Sequence, residues 1–333
     1  MCLMSKIAFI GTGGTISSLG KDPLDIVHYG ANKSMLAAAD ILAVVPQVQE
    51  VAEVLAVPFS HVPSPDIYYS EWKALAALCL KVVEENPGLA GIVIGHGTAT
   101  LEETAYALGL ILKVSIPVVV VGSQRPLSGL ASDASMNLVN AVRVAADPNS
   151  RGRGVLVVLN DEIHPARDVT KTATYRLQTF KAADFGMLGY VDGPYIRYYR
   201  RTERVTAPET EFDSSDLAAL PRVDIAYAYS GGDGVEVDAY VAAGAKGIVS
   251  AGFAPGMAPP GQMAALERAA KAGVIVVQAT RAGSGVVHDS ERLGELNFIP
   301  ADNLNPQKAR ILLALALTRS SERGEIMRMF RTY

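Results

Sequence analysis

The chain has 333 residues, of which 49% are hydrophobic and 19% charged, and this excludes a disordered polymer because ample apolar surface is present to offset chain entropy. A net charge of −4 gives no electrostatic reason for a nucleic-acid partner, which needs clustered Lys and Arg, and no apolar run reaches the ~18–20 residues that span a bilayer. Single cores stop growing near ~250–300 residues, so the length predicts one larger and one smaller domain.

Residues Met1 to Lys6 run directly into the strand-like Ile7-Ala8-Phe9-Ile10, with no long apolar leader or small-residue cleavage site, and this predicts a cytoplasmic protein. Strands are expected over 6–11, 54–60, 91–95, 117–122 and 154–159, with helices near 70–86, 99–112 and 133–146. This is a βαβ rhythm. Near-continuous apolar strands such as Pro117 to Val121 point to a sheet covered on both faces, hence a mostly parallel α/β domain flanked by helices, with ligands beyond the carboxyl ends of its strands. Residues 1–193 form this larger N-terminal domain. From 194 to 221 the composition turns to Tyr195, Arg197, Tyr198, Tyr199, Arg200, Arg201 and Arg204, then to Pro, Glu, Asp and Ser without periodicity. That reads as a linker, a nucleic-acid contact being the alternative for its basic aromatic part. Strands over 223–229, 247–251 and 274–278 with helices near 234–243, 260–272 and 305–318 make 222–333 a smaller C-terminal α/β domain.

Cys2 and Cys79 are the only cysteines, and His28, His61, His96, His164 and His288 are scattered. Neither a disulfide framework nor a metal site is expected, and no cofactor is implied. Four strand ends carry polar loops. In Gly11-Thr12-Gly13-Gly14-Thr15 the glycines allow a sharp turn, but Ile16 stands where a dinucleotide fingerprint needs its third glycine, and no Lys follows as a phosphate loop requires. What remains is a loop holding the hydroxyls of Thr12 and Thr15. His96-Gly97-Thr98 places a second hydroxyl at a helix N-terminus, where Thr98 or Thr100 acts either as a helix cap, with Glu102 or Glu103 completing a capping box, or as a catalytic group. Gly122-Ser123-Gln124-Arg125-Pro126 again ends an apolar strand and offers backbone polar groups to a substrate. Asn160-Asp161-Glu162 leads to Lys171, either a solvated lysine or, with its pKa lowered by burial, a base.

Gly13-Gly14-Thr15-Ile16, His96-Gly97-Thr98 with Leu101-Glu102-Glu103-Thr104-Ala105-Tyr106, Asn160-Asp161 through Thr170-Lys171-Thr172, and Leu304-Asn305-Pro306-Gln307-Lys308-Ala309-Arg310 together resemble bacterial-type L-asparaginases and glutaminase-asparaginases over essentially the whole chain. The resemblance implies that Thr15 is a nucleophile forming an acyl-enzyme, that Tyr29 helps to activate it, and that Thr98 and Lys171 are a second hydroxyl–amine pair. It further implies that Ser64 binds the substrate α-carboxylate and that Glu291 reaches a neighbouring subunit's site in a homo-oligomer, a dimer of dimers. The sequence departs from the family at two places. Ala99 stands where the family has an Asp that binds the substrate ammonium, and Ser64-Pro65-Asp66 replaces Ser-Gln-Asp. An unpaired ammonium loses charge-assisted bonds worth ~1.5–3 kcal/mol each. Three readings are therefore open: asparagine, its amino group held by Asp66, Glu291 or water; a carboxylate-bearing amide, ester or lactone without a free α-amino group; and a non-catalytic small-molecule binding protein on the same scaffold, against which intact Thr15, Thr98 and Lys171 argue. Missing the Asp also tends to lower the pKa of Lys171.

Overall fold

The computed structural model describes residues 4–32, 35–59 and 62–333, so Cys2 and His61 lie outside the described residues. The larger unit opens with β1 (Lys6–Gly11), α1 (Ala38–Val44), α2 (Val48–Val51) and β2 (Glu53–Val57). It continues through α3 (Tyr69–Glu85), β3 (Leu89–Gly95), α4 (Leu101–Ile111), β4 (Val118–Val121), α5 (Ala134–Ala146) and β5 (Val155–Leu159). These five strands are parallel, in the order β5-β4-β3-β1-β2. β1 shows why the run is uninterrupted in sequence: Ile7, Ala8, Phe9 and Ile10 are all fully buried, so both faces of the strand are covered. Truncating Phe9 to Ala costs about 3–5 kcal/mol on that footing. In α4 every residue but Glu103 is buried, which fits a helix apolar around its circumference. Trp72 Nε1 donates to Thr104 Oγ1 at 2.9 Å and ties α3 to α4.

The sheet extends by antiparallel strands that periodicity does not disclose: β6 (Glu162–Pro165), β9 (Gly189–Asp192) and β10 (Tyr195–Tyr198) complete the order β10-β9-β6-β5. Between β6 and β9 lies a short antiparallel pair, β7 (Thr170–Lys171) and β8 (Phe180–Lys181). Asn160 and Asp161 carry φ of 52° and 63°; they form the two-residue loop of the β5–β6 hairpin, which needs positive φ at both positions, a conformation Asn and Asp accept.

The expected linker over 194–221 is corrected at its start. β10 is an edge strand of the large sheet, because Tyr198 Oη lies 2.7 Å from Ser150 Oγ, the Arg153 guanidinium stacks 3.8 Å from the Tyr198 ring, and Arg201 donates to Gly152 O at 3.1 Å. The basic aromatic block is engaged within its own unit. The chain divides into two compact units between Ser214 and Ser215.

The second unit contains β11 (Val223–Tyr227), α6 (Val235–Ala242), β12 (Gly247–Gly252), α7 (Pro260–Lys271), β13 (Ile275–Thr280), α8 (Glu291–Glu295), β14 (Ile299–Pro300), α9 (Pro306–Ala316) and α10 (Arg323–Thr332). Its sheet is parallel in the order β11-β12-β13-β14. Ala226, Ile248, Leu266, Val276 and Phe298 form its buried core. Asn305 caps α9 by accepting from Lys308 N at 3.0 Å, and Pro306 follows at the first helical position, where its missing N–H costs nothing.

Candidate active site

β1 pairs with β2 on one side and β3 on the other, so the chain leaves it in one direction and returns on the opposite flank. Such a reversal opens a crevice at the carboxyl ends of the two strands. Gly11 and Gly95 are in register, and Thr12 seals the seam beyond them by donating to Gly95 O from its N at 2.9 Å and its Oγ1 at 3.0 Å. Thr12 is thus a structural hydroxyl.

The two loops touch through glycine. Gly14 sits at φ 84°, ψ −170°, a region essentially restricted to glycine. A Cβ there would lie 2.1 Å from Gly97 Cα and 2.4 Å from Gly97 N, while a Cβ on Gly97 would lie 2.6 Å from Ser64 Oγ. Only hydrogen atoms allow this approach, and the next residue in each loop is a threonine.

Thr15, 8% exposed, has its Oγ1 2.9 Å from Tyr29 Oη. Tyr29 is brought in by a loop built around Asp25, which accepts from Lys21 N at 3.2 Å and His28 N at 2.9 Å. Burial opposes the charge of Asp25, but the two N–H donors, helped by the Lys21 and His28 charges, hold its pKa below the ordinary value. Three bonds lash this loop to 127–130: Gly20 N to Ser128 Oγ at 2.8 Å, Leu127 N to Ser18 O at 3.2 Å, and Leu130 N to Pro23 O at 2.7 Å.

Thr98 Oγ1 accepts from Lys171 Nζ at 2.7 Å. Lys171 is half-buried, and burial lowers its pKa against the opposing pull of the Glu102 carboxylate. The capping alternative does not match this arrangement. Thr100 is the residue at the N-cap of α4, but its hydroxyl donates to Ser64 O at 2.6 Å, and the Thr98 hydroxyl is engaged with Lys171. Glu102 Oε2 accepts from Lys171 N at 2.5 Å. That partnership is not visible in a sequence where the two residues stand 69 positions apart.

His96 is fully buried with Nδ1 2.8 Å from Gly97 O. A carbonyl only accepts, so Nδ1 carries the proton. Burial pushes its pKa down to about 4 against the Gly97 contact, and the ring stays neutral as a brace for the loop.

Ser123 lies in the loop after β4. It is fully buried and its hydroxyl donates to Arg125 O at 2.7 Å, while the next two N–H groups, of Gln124 and Arg125, both go to the Asp133 carboxylate at 2.9 Å. The loop after β4 spends these donors on its own turn. Asn137, which no motif singles out, donates to Gly122 O at 3.0 Å and accepts from Asn160 N at 2.9 Å, bracing the loops after β4 and β5 against each other.

The structure therefore gathers Thr15, Tyr29, Thr98, Lys171 and the buried Ser64 around the Gly14–Gly97 contact. Asp66 and Ala99 are exposed, on segments fastened together by the Thr100 to Ser64 bond. Glu291 is exposed in the first turn of α8 in the second unit. The N–H groups of Thr15 and Thr98 have no protein acceptor among the described residues, as a site that receives a developing oxyanion requires.

The family domain described as Asparaginase, N-terminal, matches residues 6–204, and that described as Glutaminase/Asparaginase C-terminal domain matches 222–330. L-asparaginase 2 of Bacillus subtilis (strain 168) is 38% identical over 332 residues, covering 99% of this chain and 87% of the relative. L-asparaginase 2 of Escherichia coli (strain K12) is also 38% identical, with 99% and 94% covered. The glutaminase-asparaginase of Pseudomonas aeruginosa is 35% identical, with 99% and 91% covered. The crystal structure of the probable cytoplasmic L-asparaginase from Campylobacter jejuni superposes with a TM-score of 0.93 at 37% identity, covering 99% of this chain and 100% of that one.

Proposed function

This chain is a member of the asparaginase family of amidohydrolases, and from that premise we propose that it hydrolyses L-asparagine to L-aspartate and ammonia with Thr15 as nucleophile. The observation that carries the reading is the meeting of two activated hydroxyls, Thr15 with Tyr29 and Thr98 with Lys171, across a glycine-only contact. As Thr15 Oγ1 bonds to the amide carbon its proton passes to the Tyr29 hydroxyl, which hands its own proton on toward the leaving nitrogen, and the N–H groups of the two turns stabilise the oxyanion, each donor worth about 3–4 kcal/mol. The C–N bond then breaks, the nitrogen leaving as ammonia with the transferred proton, and an ester to Thr15 remains. Water, deprotonated through Thr98 and Lys171, adds to that ester and returns the proton to Thr15 as the carboxylate departs. A lysine serves as this base only when uncharged, and its burial favours that form. Ser64 is assigned to the substrate α-carboxylate, with Asp66 and Glu291 at its ammonium.

A second reading is favoured by one feature. The side chains of Ala99 and Pro65, both exposed, offer neither charge nor hydrogen bond to an ammonium, which suits a carboxylate-bearing amide, ester or lactone lacking the amino group. A panel of asparagine, glutamine, succinamate and small lactones, with Thr15→Ala as control, separates the two. Asparagine turnover as fast as the best other compound removes the second reading; its failure beside rapid succinamate turnover removes the first.

A homo-oligomer, a dimer of dimers in which Glu291 serves a neighbouring protomer, is proposed with this function. Exposed Tyr227, Tyr229 and Met257, on segments at the carboxyl ends of β11 and β12, support it as apolar surface for a second copy. Sedimentation as a tetramer is the expected result; a monomer active at nanomolar concentration contradicts it. A cytoplasmic location is proposed likewise and is checked by cell fractionation.

A further inference from the structure

We propose that Glu102 is the positioning residue for Lys171, its buried carboxylate anchoring the Lys171 main chain so that Nζ meets Thr98 while its charge acts on that amine. The inference rests on the reading of Lys171 as the base above. Thr98 and Glu102 stand four positions apart, the one just before α4 and the other in its first turn, and between them they hold both ends of one residue. Thr98 takes Nζ at 2.7 Å and Glu102 takes the backbone N–H at 2.5 Å. β7 needs such an anchor. It is a two-residue strand whose ladder is with the two-residue β8, and so short a ladder is marginal by itself. Glu102 is 5% exposed on an almost wholly buried helix, and its place in the first turn suits a negative charge.

The carboxylate therefore has two effects on the amine. It sets the distance to Thr98, and it opposes the loss of the proton that burial promotes. Other charged or titratable groups around β7 are placed differently. Glu103 follows on α4, Lys181 lies across from Thr170 on β8, Arg167 and Asp168 pair with each other at 3.1 Å, and His96 stays neutral.

The test titrates Lys171 directly in the full-length protein, by the pH dependence of its labelling with an amine-reactive aryl fluoride, mapped by peptide mass, beside kcat/KM against pH. Glu102→Gln keeps an oxygen for the N–H and removes the charge; the Lys171 titration and the rising limb of kcat/KM are expected to move together to lower pH. Glu102→Asp keeps the charge on a shorter arm; the titration is expected to stay near the wild-type pH while kcat falls roughly tenfold or more through misplacement. A wild-type titration in Glu102→Gln, or equal shifts in both variants, overturns the proposal. Should the titration move in Glu102→Gln while the rate limb does not, Glu102 keeps its role and Lys171 loses its assignment as base.

Discussion

Gly14→Ala tests the contact on which the site is built. The added Cβ would fall 2.1 Å from Gly97 Cα and 2.4 Å from Gly97 N, where non-bonded carbons rest at about 3.5–4.0 Å, so the loops after β1 and β3 must part by more than ~1 Å. Both neighbours are main chain, and no rotamer change relieves them. The backbone at φ 84°, ψ −170° adds about 1–3 kcal/mol of strain for a residue with a Cβ. A displacement of ~1 Å in a reacting group costs on the order of 10²-fold in rate. The expected outcome is a kcat for asparagine hydrolysis at least ~10²-fold lower, with a cooperative unfolding transition retained and Tm down by several degrees. Steady-state kinetics by ammonia release, alongside calorimetry, read the two quantities. A kcat within threefold of wild type would refute the reasoning, since it would mean that the Thr15 and Thr98 hydroxyls act without the glycine contact.

Tyr29→Phe removes the partner 2.9 Å from Thr15 Oγ1 and is expected to lower kcat by roughly 10²–10⁴-fold with a smaller change in KM, measured by the same assay; equal kcat would release Tyr29 from its role. Burial of neutral His96 predicts an acid weakness. Above about pH 6.5 neither folded nor unfolded His96 is charged; below it the unfolded chain takes up a proton that the folded chain refuses until about pH 4. At ~1.4 kcal/mol per pH unit this window removes on the order of 3 kcal/mol of stability. Denaturant unfolding of wild type and His96→Leu between pH 7 and 4 is expected to show the flatter dependence in the variant, and parallel curves would contradict the assignment. Ala99→Asp is expected to raise kcat/KM for asparagine relative to succinamate; no change in that ratio would remove Ala99 from the ammonium site.

How far the sequence discloses the molecule depends on how local each signal is. β1, β3, β4 and β5 are legible because burial on both faces demands unbroken apolar runs, and the Asn305-Pro306 start of α9 because capping chemistry lies within four residues. β6, β9 and β10 are short and antiparallel, and β10 carries the Tyr and Arg composition of a loop because its side chains staple an edge to 150–153. The Asn160-Asp161 pair is itself a hairpin signal, although its place at a strand end equally suits a site loop. At the site, Thr15, Thr98 and Lys171 are suggested by their places after strand ends and by family resemblance. Their pairing is tertiary: 73 residues separate Lys171 from Thr98. The same limit hides Glu102, which local spacing presents only as a capping residue.

The most direct measurement is rapid acid quenching of the enzyme with asparagine, followed by peptide mass spectrometry of the trapped acyl group. The account predicts an aspartyl ester on the peptide carrying Thr15, absent in Thr15→Ala. An ester on Thr98, or rapid turnover by Thr15→Ala, would contradict it.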